Sequence, residues 1–185
     1  MKEFFKDKYR VNSIRLPHWD YSWEAFYYVT ICIKDRVCCL GEVKDDKVYL
    51  SEIGEIVFKC WLEIPEHFDK AGLDDWIIMP NHLHGIIIIK DNDFGLKNCR
   101  DTTCHVSTER KFGYMQPKSL SSMIQAFKSS VKRECNKKDL AYFQWQPNYY
   151  EHIIRTEDDY ARIKDYIVNN PINWEFDRNN PKNIK

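Results

Sequence analysis

Two histidines stand two residues apart at the head of Met79-Pro80-Asn81-His82-Leu83-His84-Gly85-Ile86-Ile87-Ile88-Ile89. A β-branched run of this length reads as a buried strand. Strand side chains alternate between faces, so His82 and His84 share one face and Leu83 points to the other. Two imidazoles side by side at the polar end of a rigid strand can hold one metal ion between them. The spacing alone also fits a hydrogen-bonded pair near a strand end. Downstream, Tyr166 and Asn170 are four apart in a helical pattern and stack on one face. Alone, that pair is a tyrosine at the rim of a core helix. A phenol, with a pKa of about 10, is a poor nucleophile at neutral pH. It becomes useful when its target is a phosphodiester polarised by a divalent cation. Two imidazoles and one amide oxygen would leave coordination positions open for phosphate. Mixed nitrogen and oxygen donors suit Mn²⁺ and can serve Mg²⁺.

The elements that must position these groups follow from periodicity. Phe26 to Ile33 is aromatic and β-branched and predicts a strand. Asp45-Asp46 marks a turn between Leu40-Gly41-Glu42-Val43 and Lys47-Val48-Tyr49-Leu50. Ser51 caps a helix whose apolar stripe is Ile53, Ile56, Val57, Cys60, Trp61 and Ile64, ending at Pro65. Leu73 to Met79 predicts a second core strand, hairpinned through Pro80-Asn81 to His82 to Lys90. Residues 91–118 are polar with no clear period and are the longest loop candidate. Ser119 caps a second helix with Leu120, Met123, Ile124, Phe127 and Val131 on its apolar face and Lys128, Lys132 and Arg133 on the other. That basic stripe reads as a solvated face, and it is also the best local candidate for holding phosphates. Tyr149 to Ile154 predicts another strand. Thr156 then caps a third helix, acidic in its first turn and stopped by Pro171. Strand pairs separated by helices predict one α+β domain over 1–185, an antiparallel sheet with helices against it, with an arm over 1–24 and a tail over 175–185.

Lys+Arg and Asp+Glu are equal at 28 each. A zero formal charge argues against a tail-driven nucleic-acid binder but leaves room for a local basic groove. Trp, Tyr and Phe are plentiful, and unpaired bases stack on such residues. The 7 cysteines are odd in number and scattered, which predicts no disulfide framework. Cys99, Cys104 and His105 lack a second pair at zinc spacing and read as loop residues. No signal peptide and no membrane-length apolar run is apparent, so the expectation is a soluble cytoplasmic protein with no membrane partner.

A histidine, a hydrophobic residue and a histidine on a central strand, with a helical tyrosine downstream, resembles the HUH endonucleases. The chain resembles more closely the single-tyrosine transposases of the insertion-sequence and REP-associated types. Four ordered stretches carry this: Arg15-Leu16-Pro17 to Tyr28-Val29-Thr30-Ile31-Cys32; Trp76 to Gly85; Phe127-Lys128-Ser129; and Trp145-Gln146-Pro147-Asn148-Tyr149-Tyr150-Glu151-His152-Ile153-Ile154-Arg155 continuing through Asp165-Tyr166-Ile167 to Asn170-Pro171. The loop over 91–118 and the tail after Trp174 are not covered.

The resemblance implies a ferredoxin-like antiparallel sheet of the HUH type with the histidines on a central strand. It implies His82 and His84 as metal ligands, Asn170 as the third, Tyr166 as the nucleophile, and Mg²⁺ or Mn²⁺ as the ion. The implied activity is nicking and joining of single-stranded DNA beside hairpins through a 5′-phosphotyrosine. The implied partners are hairpin-bearing single strands and, in some relatives, a second copy of the chain. Tyr149, Tyr150 and Tyr160 compete with Tyr166, but the first two fall on a strand and the third on an apolar face. Asn169 competes with Asn170. Lys128, Lys132 and Arg133 are the expected DNA contacts; His152 either touches DNA, supports the site or holds a buried, hydrogen-bonded place. A non-catalytic hairpin-binding descendant and a metal phosphodiesterase without a covalent step are the alternatives.

Overall fold

The computed structural model describes residues 19–90 and 117–183. In chain order its elements are β1 (Ala25–Cys32), β2 (Gly41–Lys44), β3 (Lys47–Leu50), α1 (Glu52–Leu62), α2 (Ile64–His67), β4 (Ala71–Met79), β5 (His82–Ile89), α3 (Leu120–Lys137), β6 (Tyr150–Ile154) and α4 (Glu157–Val168). Most of the expected N-terminal arm and long polar loop, with Cys99, Cys104 and His105, lies outside the described residues.

The four longer apolar segments form one antiparallel sheet in the order β4-β5-β1-β6. Taken with α1 and α3, the sequence β1-α1-β4-β5-α3-β6 is the ferredoxin-like arrangement, with the histidine strand β5 in the interior of the sheet. Strand alternation divides the core in two. Tyr27, Val29, Ile31, Leu83 and Ile87 meet the buried stripes of α1 and α3. The opposite face carries Tyr28, Ile86 and Ile154, which pack on Ile163 and Ile167 of α4. The helix bearing Tyr166 therefore lies on the face that His82 and His84 share.

Local chemistry sets the ends of these elements. Ser51, Ser119 and Thr156 each accept a backbone N–H from three residues on, so all three expected caps form. The first helix breaks at Glu63, and Pro65 sits in the first turn of the short α2. Asp45 and Asp46 adopt φ of 48° and 58°, the left-handed pair that a two-residue hairpin turn requires. The resulting β2–β3 ribbon is a separate two-stranded sheet. Gly85 faces α1, where a Cβ would lie 2.5 Å from Cζ2 of Trp61. The absence of a side chain at position 85 lets the indole approach the backbone at the histidine end of β5. β4 carries a register shift between Leu73 and Trp76.

Candidate active site

Antiparallel pairing of β1 with β5 sets Thr30 opposite His84 and Cys32 opposite His82. Alternation along β1 then brings Tyr28 and Thr30 onto the histidine face. The His84 Nδ1 lies 2.8 Å from the Tyr28 hydroxyl and 2.9 Å from Thr30 Oγ1. The His82 ring is held from the turn before it. Asn81 donates from Nδ2 to the carbonyl oxygens of Arg36 and Asn179 at 3.0 and 2.8 Å. Its Oδ1 is therefore the atom that faces His82 Nδ1, at 2.8 Å. It follows that His82 carries its proton on Nδ1 and presents a bare Nε2 lone pair.

The two Nε2 atoms converge to 2.9 Å. Without an ion, the proton between them must sit on His84, whose Nδ1 then accepts from a hydroxyl. Tyr28 and Thr30 can both donate and accept, so they also tolerate the other tautomer, in which His84 presents a second lone pair. Burial lowers the pKa of His82 to about 4, against a partial opposing pull from Asp177. Burial, and then the neighbouring His82, push His84 well below its ordinary value. Both rings are neutral at physiological pH, the form in which imidazole binds metals.

α4 and the chain beyond it supply the rest of the site. Tyr166 is 42% exposed, and its hydroxyl lies 3.5 Å from His84 Nε2. Burial, and then the carboxylate of Asp177, raise its pKa. Asn170 lies just past the helix end, its N–H bonded to the Ile167 carbonyl, and is 1% exposed. Asn169 instead turns outward and donates to Asp165. Asp177 comes from beyond the 3₁₀ turn Trp174–Phe176 and is 8% exposed. Its Oδ2 accepts from Tyr166 Oη and Asn170 Nδ2, each at 3.4 Å, and its Oδ1 accepts from the Asn179 N–H at 2.5 Å. The potential ligand atoms of His82, His84 and Asp177 all lie within 4.8 Å of one another.

Two observations test whether these groups suit a divalent cation. First, two bonds of about 2.1 Å at a right angle separate their donor atoms by about 3.0 Å, close to the Nε2 spacing of this site. Second, Asn170 Oδ1 is buried with no hydrogen-bond partner among the described residues. A buried amide oxygen left unpartnered costs about 1–3 kcal/mol, and a cation beside it would remove that cost. The donor set of two neutral imidazoles, a carboxylate and an amide oxygen fits a hard or borderline divalent ion.

Of the expected DNA contacts, Lys128, Lys132 and Arg133 sit away from the histidine face. α3 packs behind the sheet, on the face of Leu83. Lys128 donates to the carbonyls of Gln146 and Asn148 at 2.9 and 2.5 Å, and burial lowers its pKa to about 8. Lys132 donates to the carbonyls of Ala141 and Phe143, both at 2.7 Å. These ammonium groups brace the segment leading into β6. Arg133 meets Ser130 and Glu134 on the surface. His152 lies on the histidine face, opposite Tyr28, and its Nε2 is 2.6 Å from Asp159.

Asp177 is the principal residue that sequence reasoning missed. Asp177-Arg178-Asn179-Asn180 reads as a polar turn, and no spacing relates it to the histidines. Tyr28 and Thr30 could have been found by pairing the alternation of β1 against that of β5. Asn81, assigned only to a turn, gave no such signal.

No family model matches the chain. An uncharacterized protein of Haemophilus influenzae is 39% identical over 170 residues, covering 90% of this chain and 91% of that protein. A second protein of the same organism, named "Putative REP-associated tyrosine transposase", is 25% identical over 158 residues, covering 83% and 73%. A solved REP-associated tyrosine transposase, bound to a REP hairpin, shares the fold with a TM-score of 0.59 at 18% identity. The match covers 91% of this chain and 77% of that one.

Proposed function

The chain belongs to the REP-associated tyrosine transposase family, and from that premise we propose that it nicks and rejoins single-stranded DNA beside a hairpin through a covalent 5′-phosphotyrosine on Tyr166. One observation carries the reading. The Tyr166 hydroxyl stands 3.5 Å from the Nε2 of one of two convergent, neutral histidines, beside a buried carboxylate and an amide oxygen that has no hydrogen-bond partner among the described residues.

His82, His84, Asp177 and Asn170 would hold the divalent ion, Mg²⁺ or Mn²⁺. Such an ion polarises a phosphate oxygen and offsets the charge that gathers on the phosphorus oxygens during displacement. The chain's own groups do the rest. Tyr166 Oη attacks the scissile phosphorus, and the bond from phosphorus to the 3′ oxygen breaks. The 5′ phosphate remains on the phenol oxygen, and the phenol proton ends on the released 3′ hydroxyl. Asp177 Oδ2, which already accepts from Tyr166 Oη, orients that proton. Attack by another 3′ hydroxyl reverses the exchange and restores the free phenol. One phosphodiester replaces another, so no external energy source is needed. Tyr166 reaches the histidines of its own chain, 3.5 Å from His84 Nε2, which supports attack without a tyrosine from a second copy.

The test incubates the protein with hairpin-bearing single-stranded DNA and Mn²⁺ or Mg²⁺ and looks for a denaturation-resistant adduct. We expect the adduct in the wild type, its loss on chelation, and its loss in Tyr166→Phe with hairpin binding retained. An adduct that persists in Tyr166→Phe would assign the nucleophile elsewhere. Binding without any adduct would leave a hairpin-binding protein. Hydrolysis that survives loss of Tyr166 would indicate a phosphodiesterase.

A further inference from the structure

Along α4 only Ile163 and Ile167 are buried, against Tyr28, Ile86 and Ile154, with Tyr160, Ile77 and Ile88 partly buried beside them. One such line of apolar contact makes a ridge about which a helix can roll. The same helix, however, carries a polar cluster along Tyr160 and Lys164. Lys164 Nζ lies 3.4 Å from Asp74 Oδ1, 3.2 Å from Asp75 Oδ2 and 3.2 Å from Tyr160 Oη. It also sits 5.0 Å over the Tyr160 ring. The Tyr160 hydroxyl donates to Asp74 Oδ2, and the ring edge meets Phe26 at 5.6 Å between centroids.

Consecutive residues of a regular strand point to opposite faces, so Asp74 and Asp75 could not both reach one lysine. The register shift of β4 between Leu73 and Trp76 spans these two residues. A bulge of this kind re-aims side chains and lets both carboxylates meet α4. The irregularity thus has a purpose that the sheet alone does not explain.

Lys164 and Tyr166 are two residues apart, about 200° around the helix axis. The cluster therefore grips one flank of α4 and the phenol projects from the other. A roll of about 20° moves an atom 5–6 Å from the axis by about 2 Å. A displacement of only about 1 Å at a reacting group can cost about a hundredfold in rate. We propose that Asp74, Asp75, Tyr160 and Lys164 form a clamp that fixes the roll of α4, with Lys164 as the positioning residue that sets Tyr166 against the histidines. The inference rests on the reading of Tyr166 as nucleophile, but its geometric content stands apart from the chemistry.

The test has two arms. The first needs neither metal nor DNA: the ¹⁹F spectrum of protein carrying 3-fluorotyrosine at position 166, whose ring lies 5.2 Å from His84 and 6.4 Å from Tyr28. The wild type should give one line displaced from its unfolded position. Lys164→Met and the double substitution Asp74→Asn/Asp75→Asn should shift or split that line, and Lys164→Arg should preserve it. The second arm is single-turnover adduct formation on saturating hairpin-bearing DNA with Mn²⁺. Lys164→Met and the Asn pair should slow it about tenfold or more. Lys164→Arg should stay within about threefold, and the DNA Kd should not move. Combining Lys164→Met with the Asn pair should cost no more than either alone, as for groups acting as a unit. Folded Lys164→Met with an unmoved ¹⁹F line and unchanged rate overturns the proposal, as do losses that multiply. A wild type that forms no adduct, in a series whose ¹⁹F lines move as expected, refutes the nucleophile reading and leaves the clamp standing.

Discussion

One amide governs the protonation of the histidine pair. Because Asn81 donates to two carbonyls, it can only accept from His82, and that fixes which ring nitrogen is free. Asn81→Ala should lower Mn²⁺ affinity about 10–100-fold, as loss of a group orienting a ligand usually does. It should also destabilise the fold by about 1–3 kcal/mol through unpaired buried carbonyls. Calorimetric titration and urea unfolding read these two effects. The lowered pKa of His82 has a definite sign. Its folded value of about 4 lies below the ordinary value of 6.5, so the fold favours the neutral ring. That stability is fully present above about pH 6.5 and is lost as pH falls towards 4. The metal-free protein should lose thermal stability across this window, and His82→Gln should flatten the profile. Asp177→Asn should weaken Mn²⁺ binding, followed by the electron paramagnetic resonance of the free ion, while leaving the fold intact. Unchanged binding in that variant would remove Asp177 from the ligand set.

At the scale of elements, two joints decide whether the site assembles. The first is the close approach of α1 to β5 at Gly85. Gly85→Ala sets a methyl 2.5 Å from the Trp61 ring and should destabilise the fold by about 1–3 kcal/mol, measured by urea denaturation. The strain falls directly behind His84, so metal affinity should drop with it. The second joint is the start of α4, where Thr156 caps the helix through the Asp159 N–H. Both joints were visible as residue types before the fold was known: the glycine after the histidine pair, and a threonine before three acids. Their partners were not. That Trp61 lies beneath Gly85 depends on how α1 crosses the sheet, and helical periodicity gives the buried stripe without the crossing point.

For the whole molecule, the telling feature is that the C-terminal stretch belongs to the site. Asn179 and Asn180 are buried, the Asn179 carbonyl binds Asn81, and the Arg178 carbonyl accepts from Arg36. Removing residues from Asp177 onward should therefore abolish tight Mn²⁺ binding as well as lower stability, which calorimetry on the shortened protein would show. The proposed attack by a tyrosine of the same chain also makes a statement about assembly. Mixing His84→Gln with Tyr166→Phe should restore no adduct, and recovery in the mixture would mean that subunits exchange tyrosines. Among the described residues no helix is long and apolar enough to cross a membrane.

The sequence by itself determined the periods: which residues alternate on β5, which stripe each helix buries, where the caps fall, and hence that His82 and His84 share a face. It also placed Tyr166 and Asn170 together, because helical spacing is local. Only the tertiary structure decided that α4 covers the histidine face and not the face of Leu83, that Thr30 stands opposite His84, and that Asp177 enters from the chain's far end. Those contacts join residues separated by tens of positions. They are fixed by strand register and by which apolar face each element must bury, and no repeat in a one-dimensional pattern encodes them.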